Sequence, residues 1–383
     1  MELAASPGQL LSLLRARPEG FSRASLLAHT GMARSTLYER LDSLFAAGLA
    51  YEAEPLASTG GRPARRIRFD DRDKVVVAFD IGQTQAGVHL LTLRHRILDS
   101  IRFPFDSTRP VEEAVGPLLD AALKITGGRE PVGAGIGLSA PVDATGVKGY
   151  WRAVLGHWDM AWLAEAFEGT LGCPIVLEND ARAMAVGEAD HSSESLVAVK
   201  VSTGIGCGII VDGALVRGVH GVAGDIGHVR IPEAAHRVCR CGRTGCLAAI
   251  ASGRALLDDP RLPPCRTAAD IAAAYDAGHS GTREAVAEAG RLTGSVLAAV
   301  VATLNPSRLA MGGTIGSLPS FVEGVRETVV DWVLEDVLTG LAVEPLRHPD
   351  AIAVGLSRLV ERTLYDPGRV DSLMAGRGRT PAT

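Results

Sequence analysis

Short apolar stripes at helical spacing, separated by glycine and polar breaks, organise the N-terminal segment. Leu10, Leu11, Leu13 and Leu14 form one stripe that ends near Pro18. Ser22 stands as an N-cap ahead of a short helix from Arg23 to His29, and Gly31 breaks it. Ala33 to Ala47 predicts a second helix with Leu37, Leu41, Leu44 and Phe45 on its buried face, stopped by Gly48. Two short helices across a glycine-containing turn fit helix-turn-helix geometry. Leu49 to Glu54 then reads as a strand, Pro55 to Pro63 as a glycine-rich turn, and Arg65 to Asp70 as a returning strand. Residues 1–72 are therefore expected to form a winged helix-turn-helix.

From Lys74 the pattern turns to buried strand runs. Val75 to Phe79 leads through Asp80–Thr84 into Ala86 to Leu93, and Leu196 to Val201 leads through Ser202–Gly206 into Cys207 to Val211. Each segment reads as strand, threonine-bearing glycine turn, strand. Their separation of about 120 residues predicts two similar lobes offering their turns to one cleft. Backbone N–H groups in such turns can approach phosphate oxygens, so Asp80, Gly82, Thr84, Thr203, Gly204 and Gly206 are candidates, with Gly312 and Gly313 after the strand Arg308 to Met311. Ordinary hairpins are the alternative. Ala134 to Leu138 is another strand, and Ile175 to Leu177 ends in Glu178, Asn179 and Asp180 ahead of a helix over 181–189. There Asn179 and Asp180 either cap the helix or meet a ligand, and a carboxylate so placed can take a hydroxyl proton in phosphoryl transfer. Helices are expected over 266–277, 282–304, 321–337 and 351–363. The lobes are set at 73–190 and 191–365, with a disordered tail over 366–383.

Composition sharpens this picture in three places. The 44 glycines exceed the usual ~7% share and fit a protein rich in tight turns. No uninterrupted apolar run approaches the ~18 residues of a membrane span, which leads to the expectation of a cytoplasmic protein with no membrane partner. A net charge of −5 argues against a nucleic-acid-coating protein, but residues 1–72 hold ten arginines against eight acids and are positive by two. In the second helix, Arg34, Ser35, Thr36, Tyr38, Glu39 and Arg40 form the polar face that a major groove would meet. Arg34 or Arg40 suits guanine edges, Ser35 and Thr36 suit phosphates, and Arg62 in the turn suits phosphates or the minor groove. A dimerisation module is the competing reading.

Cys239, Cys241 and Cys246 put three thiols within eight residues, with His228 eleven residues upstream. Three thiolates and one imidazole suit a structural zinc ion, because the tetrahedral shell leaves no open position. Cys173, Cys207 and Cys265 read as small buried hydrophobes.

These segments resemble the ROK family of repressors, open reading frames and sugar kinases. The matching motifs are DIGQT (80–84), LSAPVD (138–143), ENDARAMAVGEA (178–189), TGIGCGII (203–210), GVHGVAGDIGH (218–228), CRCGRTGC (239–246) and MGGTIG (311–316). The resemblance implies an α/β body of two ribonuclease-H-like lobes, the actin-like ATPase and sugar-kinase fold, with a sugar in the cleft and, in kinase members, ATP beside it. The N-terminal helices and the STGGRP turn (58–63) look like the repressor branch. Carried over, Asp180 matches the kinases' catalytic base, Asn179 their sugar-binding asparagine, and His228 a residue that binds zinc and shapes the sugar site. Three positions depart from the kinase pattern. Asp225 replaces the usual glutamate, Ala248 stands where a glutamate follows the last zinc cysteine, and Gln83 replaces a glycine common in the phosphate turn. The expectation is a sugar-responsive transcriptional regulator, a repressor by family, binding operator DNA as a homodimer or homotetramer. The alternatives are an active ATP- and Mg-dependent sugar kinase with an appended DNA-binding domain, and a constitutive regulator with a vestigial pocket.

Overall fold

Ser6 accepts a hydrogen bond from Gln9 N at 3.2 Å while the Gln9 side chain accepts from Ser6 N, and this reciprocal cap starts α1 (Pro7–Ala16). The computed structural model describes residues 6–53, 65–143, 155, 157–190 and 194–377, so Arg62 and the tip of the expected wing lie outside the described residues. Ser22 caps α2 (Arg23–Thr30), which ends on left-handed Gly31, and α3 (Arg34–Ala46) buries Leu37, Leu41 and Leu44. Strands β1 (Ala50–Ala53) and β2 (Arg66–Phe69) pair antiparallel, Ala50 opposite Phe69. Three helices and a two-stranded hairpin make the winged helix-turn-helix. By its contacts the chain divides into two compact units: residues 1–74, 92–94 and 360–383 form the first, and 75–91 with 95–359 form the second.

The first lobe of the second unit contains β3 (Val75–Ile81), β4 (Gln85–Thr92), β5 (Ile97–Pro104), α4 (Val111–Thr126), β6 (Pro131–Leu138), α5 (Met160–Leu171) and β7 (Ile175–Asn179); α6 (Asp180–Glu188) follows and packs mainly on the second lobe's sheet. Its sheet runs β5-β4-β3-β6-β7, with β3, β6 and β7 parallel and β5 antiparallel to β4. The second lobe begins with β8 (Leu196–Val201), β9 (Ile205–Val211) and β10 (Ala214–Leu215). It continues through α7 (Ala248–Ala251), α8 (Gly253–Leu256), α9 (Ala268–Asp276), α10 (Ser280–Leu304), β11 (Arg308–Gly312), α11 (Gly313–Gly316), α12 (Pro319–Trp332), α13 (Glu335–Leu338) and β12 (Ala342–Pro345). Its sheet runs β10-β9-β8-β11-β12, parallel at β8, β11 and β12. Numbered within each lobe, both sheets have the order third, second, first, fourth, fifth. The two lobes thus share one topology, the ribonuclease-H-like one.

Two close helix crossings fix these layers. Gly187 on α6 lies against Gly355 on α14 (Ala351–Leu364), and a Cβ on either would run into the other helix's backbone. Gly290 and Gly294 on α10 likewise lie against the backbone of α12. Among the described residues, α10 is the helix long and apolar enough to cross a membrane, and 56% of that apolar window is buried inside the protein.

Over 367–377 the chain differs from the expectation of disorder, and residues 378–383 lie outside the described residues. α15 (Pro367–Arg377) is helical, with Pro367 at its start and Val370 buried. Docking supplies the order that composition did not: Asp371 Oδ1 accepts from Gly8 N at 2.7 Å, and Glu361 pairs with Arg15 at 2.6 Å. By their contacts the end of α14 and α15 group with the head.

Candidate functional site

Both glycine turns face a cleft of about 620 Å³ between the lobes of the second unit. Asp80, Gly82, Thr84, Thr203, Gly204 and Gly206 line it, as does Gly313. Gly312 does not; it is packed against Leu346 and Met184 behind the cleft wall. Asn179, Asp180, Asp225 and His228 all reach the cleft, and Ala248 presents only a methyl where the resemblance implied a carboxylate. Asn179 serves α6 as its N-cap, its Oδ1 accepting from Arg182 N at 3.1 Å while its amide donates to Ala140 O at 3.2 Å.

Asp180 is the most heavily bonded carboxylate of the cleft. Its Oδ2 accepts from Ser139 Oγ and from Lys200 Nζ, both at 2.6 Å, and its Oδ1 accepts from Ala181 N at 2.7 Å and Asn179 Nδ2 at 3.3 Å. Lys200, on β8, also lies 4.0 Å from Asp80 Oδ1, a buried atom with no hydrogen-bond donor among the described residues. Burial alone would depress the Lys200 ammonium; Asp180 and then Asp80 outweigh it and raise its pKa, so the side chain stays cationic. Burial pushes the Asp80 carboxyl up, against the pull of Lys200. Across the turns, Arg240 Nη1 donates to Gln83 Oε1 at 3.0 Å.

A second group of charges holds the loops that carry these residues. Arg182, 1% exposed, donates to Val142 O and Gly221 O at 2.7 Å each and pairs with Glu178 at 2.6 Å. Arg217 closes on the other Glu178 oxygen at 2.8 Å. Thus one buried guanidinium ties the loop after β6 to the loop leading to Asp225. Sequence reasoning passed over Lys200, Ser139 and Arg182; the available signal was a lone charge in the apolar run LVAVKV, directly before the second turn.

His228 joins the cleft to the cysteine knuckle. Its Nδ1 lies 3.6 Å from Cys239 Sγ, and its Nε2 faces Asp225 Oδ1 at 4.0 Å. Cys241 and Cys246 sulfurs are 3.7 Å apart, and the four ligand atoms lie within 4.8 Å of one another. A tetrahedral ion with bonds of about 2.3 Å to sulfur has edges of about 3.8 Å, so the cluster can hold a metal ion. Gly242 (φ +84°) and Gly245 (φ +91°) make the left-handed turns that aim the sulfurs inward. Burial raises the Cys239 thiol and pushes Cys246 up to about 12; a divalent cation would have to displace those protons. Burial also pushes the Cys207 thiol up to about 12.

In the head, Arg34 and Ser35 are exposed on the first turn of α3, and Thr36, Tyr38 and Arg40 are half-buried along it. Arg34 Nε donates to Tyr38 OH at 3.1 Å, and Arg23, which the sequence did not single out, stacks on Tyr38 and pairs with Glu52 at 2.6 Å. No side chain caps α3 at Ala33.

Known proteins give the context. The N-acetylglucosamine repressor of Escherichia coli O157:H7 is 26% identical over 370 residues, 90% of this chain and 89% of that protein. A glucokinase of Halalkalibacterium halodurans is 27% identical over 267 residues, 63% of this chain and 81% of that protein. The crystal structure of a ROK family transcriptional regulator, a homologue of the Escherichia coli MLC protein, superposes with a TM-score of 0.76 at 22% identity, covering 97% of this chain and 98% of that one. The ROK family model matches residues 76–362, and the chain belongs to the ROK family.

Proposed function

We propose that the protein is a sugar-responsive transcriptional repressor that binds operator DNA through its winged helix-turn-helix. One observation carries this reading: a winged helix-turn-helix precedes a ROK body, and the similarity to a sugar repressor runs through both, whereas the glucokinase match covers less of the chain. Arg34, Ser35, Thr36, Tyr38 and Arg40 would meet the major groove, Arg62 a phosphate or the minor groove, and the uncapped N–H groups of α3 a phosphate oxygen. A sugar or sugar derivative would lie between the lobes against Asn179, Asp180, Asp225 and His228. Zinc held by His228, Cys239, Cys241 and Cys246 would supply a fixed tetrahedral anchor, leaving His228 Nε2 turned to the cleft and Asp225. Effector binding would then change lobe closure, and with it the spacing of two heads in a homodimer or homotetramer on a roughly palindromic operator. Such a protein works in the cytoplasm.

The test is a thermal-shift screen of sugars, sugar phosphates and ATP on the purified chain. The expected result is stabilisation by one sugar class without ATP, about 2.7 kcal/mol at a hundredfold excess over Kd. No shift with any sugar, or a sugar shift that requires ATP, would contradict the reading.

A further inference from the structure

We infer that Lys200 is a covalently tethered cation standing where a kinase cleft would need its divalent metal and nucleotide phosphates, so that Asp180 clasps the two lobes and the cleft takes its ligand without metal or ATP. The kinase members of the family imply ATP and magnesium beside Asp180; the residues of this chain do not fit them. A carboxylate has about four acceptor positions. On Asp180 three are filled from within the chain, by Ser139 Oγ and Lys200 Nζ at 2.6 Å and Ala181 N at 2.7 Å, and Asn179 Nδ2 lies 3.3 Å from Oδ1. Oδ2 is already shared by a hydroxyl and an ammonium, so an attacking hydroxyl would have to displace one of them before giving up its proton there.

The charge balance points the same way. Asp80, next to the end of β3, and Asp180, at the start of α6, both line the cleft, a pair of hard oxygen donors of the kind that gathers magnesium or manganese. Here the ammonium of Lys200 reaches both, at 4.0 and 2.6 Å, and remains charged. A divalent ion beside them would meet a fixed like charge at contact range in a half-buried site, where screening is weak. A second contact crosses the cleft nearby. Gln83 Oε1 accepts from Arg240 Nη1, which sits between two knuckle cysteines, and both side chains line the cleft with Thr203 and Gly204. Ser139 of the first lobe and Lys200 of the second meet on Asp180 Oδ2, and Arg240–Gln83 is a further contact between the lobes. Together they set lobe closure by protein charges where a kinase would use nucleotide.

This deepens the reading of the cleft as a binding site, but its test uses no effector and no DNA, so the two stand or fall separately. Manganese binding to the full-length chain is followed by electron paramagnetic resonance for the parent protein, Lys200→Met, Lys200→Gln, Lys200→Arg and the double variant Lys200→Met/Asp180→Asn. The parent and Lys200→Arg are expected to bind no manganese at the cleft. Lys200→Met and Lys200→Gln should each gain one ion per chain, at least about tenfold tighter than the parent. Asp180→Asn should remove the gained site, which separates it from any binding at the cysteines. Two uncharged variants guard against one of them failing to fold. The inference is overturned if the parent binds manganese with an affinity close to that of the uncharged variants, or if a folded uncharged variant gains no site sensitive to Asp180→Asn.

Discussion

His89 on β4 is 2% exposed, and its Nδ1 lies 2.9 Å from Ser100 Oγ. Burial, followed by the nearby Arg102, lowers its pKa to about 4. The folded-state value is depressed, so the neutral ring contributes fully above about pH 6.5. Below that the unfolded chain binds a proton the native chain refuses, and stability falls until about pH 4. The loss reaches up to about 3 kcal/mol. Urea unfolding across this range should show the slope, and His89→Gln should flatten it; an unchanged slope would mean the ring is not buried as described. At the knuckle, Cys246→Ser should abolish stoichiometric zinc and lower the melting temperature, measured by metal analysis and calorimetry. A variant that keeps one zinc per chain would refute the tetrahedral assignment. Residues of this kind were legible in part. Cysteine spacing marks a metal site because thiolates in a short loop have few other uses. Lys200 was not legible, because a lone lysine in a strand looks the same whether it ends in solvent or against two aspartates.

Among the elements, those with strong periodicity were readable before the structure, including the two hairpins, α6, α10 and the head helices. The unread ones have physical reasons. β5 is an edge strand with most of its length half-exposed or exposed, so it lacks apolar alternation. β12 has four residues and ends in Pro345. α4 contains Gly116 and Pro117, which punctuate its pattern, although Val111, Ala114, Val115 and Leu118 still form a buried stripe. α15 is polar, and its contact with α1 is not written in its own pattern. The α6 N-terminus depends on Arg182, whose removal would leave Glu178, 2% exposed, with Arg217 as its main partner. Arg182→Met is therefore expected to destabilise the second unit by about 3 kcal/mol, read by chemical denaturation. A loss below about 1 kcal/mol would show that the buried pair is dispensable. In α3, Arg34→Ala should weaken specific DNA binding by about 1–3 kcal/mol if Arg34 reads a base edge, and should relax preference at one position. A uniform loss across sequences would assign it to a phosphate instead.

At the scale of the whole molecule, the charge of −5 is unevenly divided: residues 1–72 carry +2 and residues 73–383 carry −7. The two matched sheets of the body give a cleft whose walls come from different lobes, so a ligand there can bias closure only by binding one closure state better than another. Arg182 holds the loops beside that cleft, the His228–Cys239–Cys241–Cys246 cluster adjoins it, and Lys200 reaches across it to Asp180. The central claim is that effector occupancy of this cleft changes DNA affinity. It is tested by selecting a duplex from a random-sequence pool and titrating the full-length protein onto it by fluorescence anisotropy, with and without the sugar that gives the largest thermal shift. The account predicts a selected site with two-fold symmetry and a sugar-dependent change in Kd of about 5- to 150-fold, without ATP. A Kd that no stabilising sugar alters, or selection that returns no preferred sequence, would contradict it.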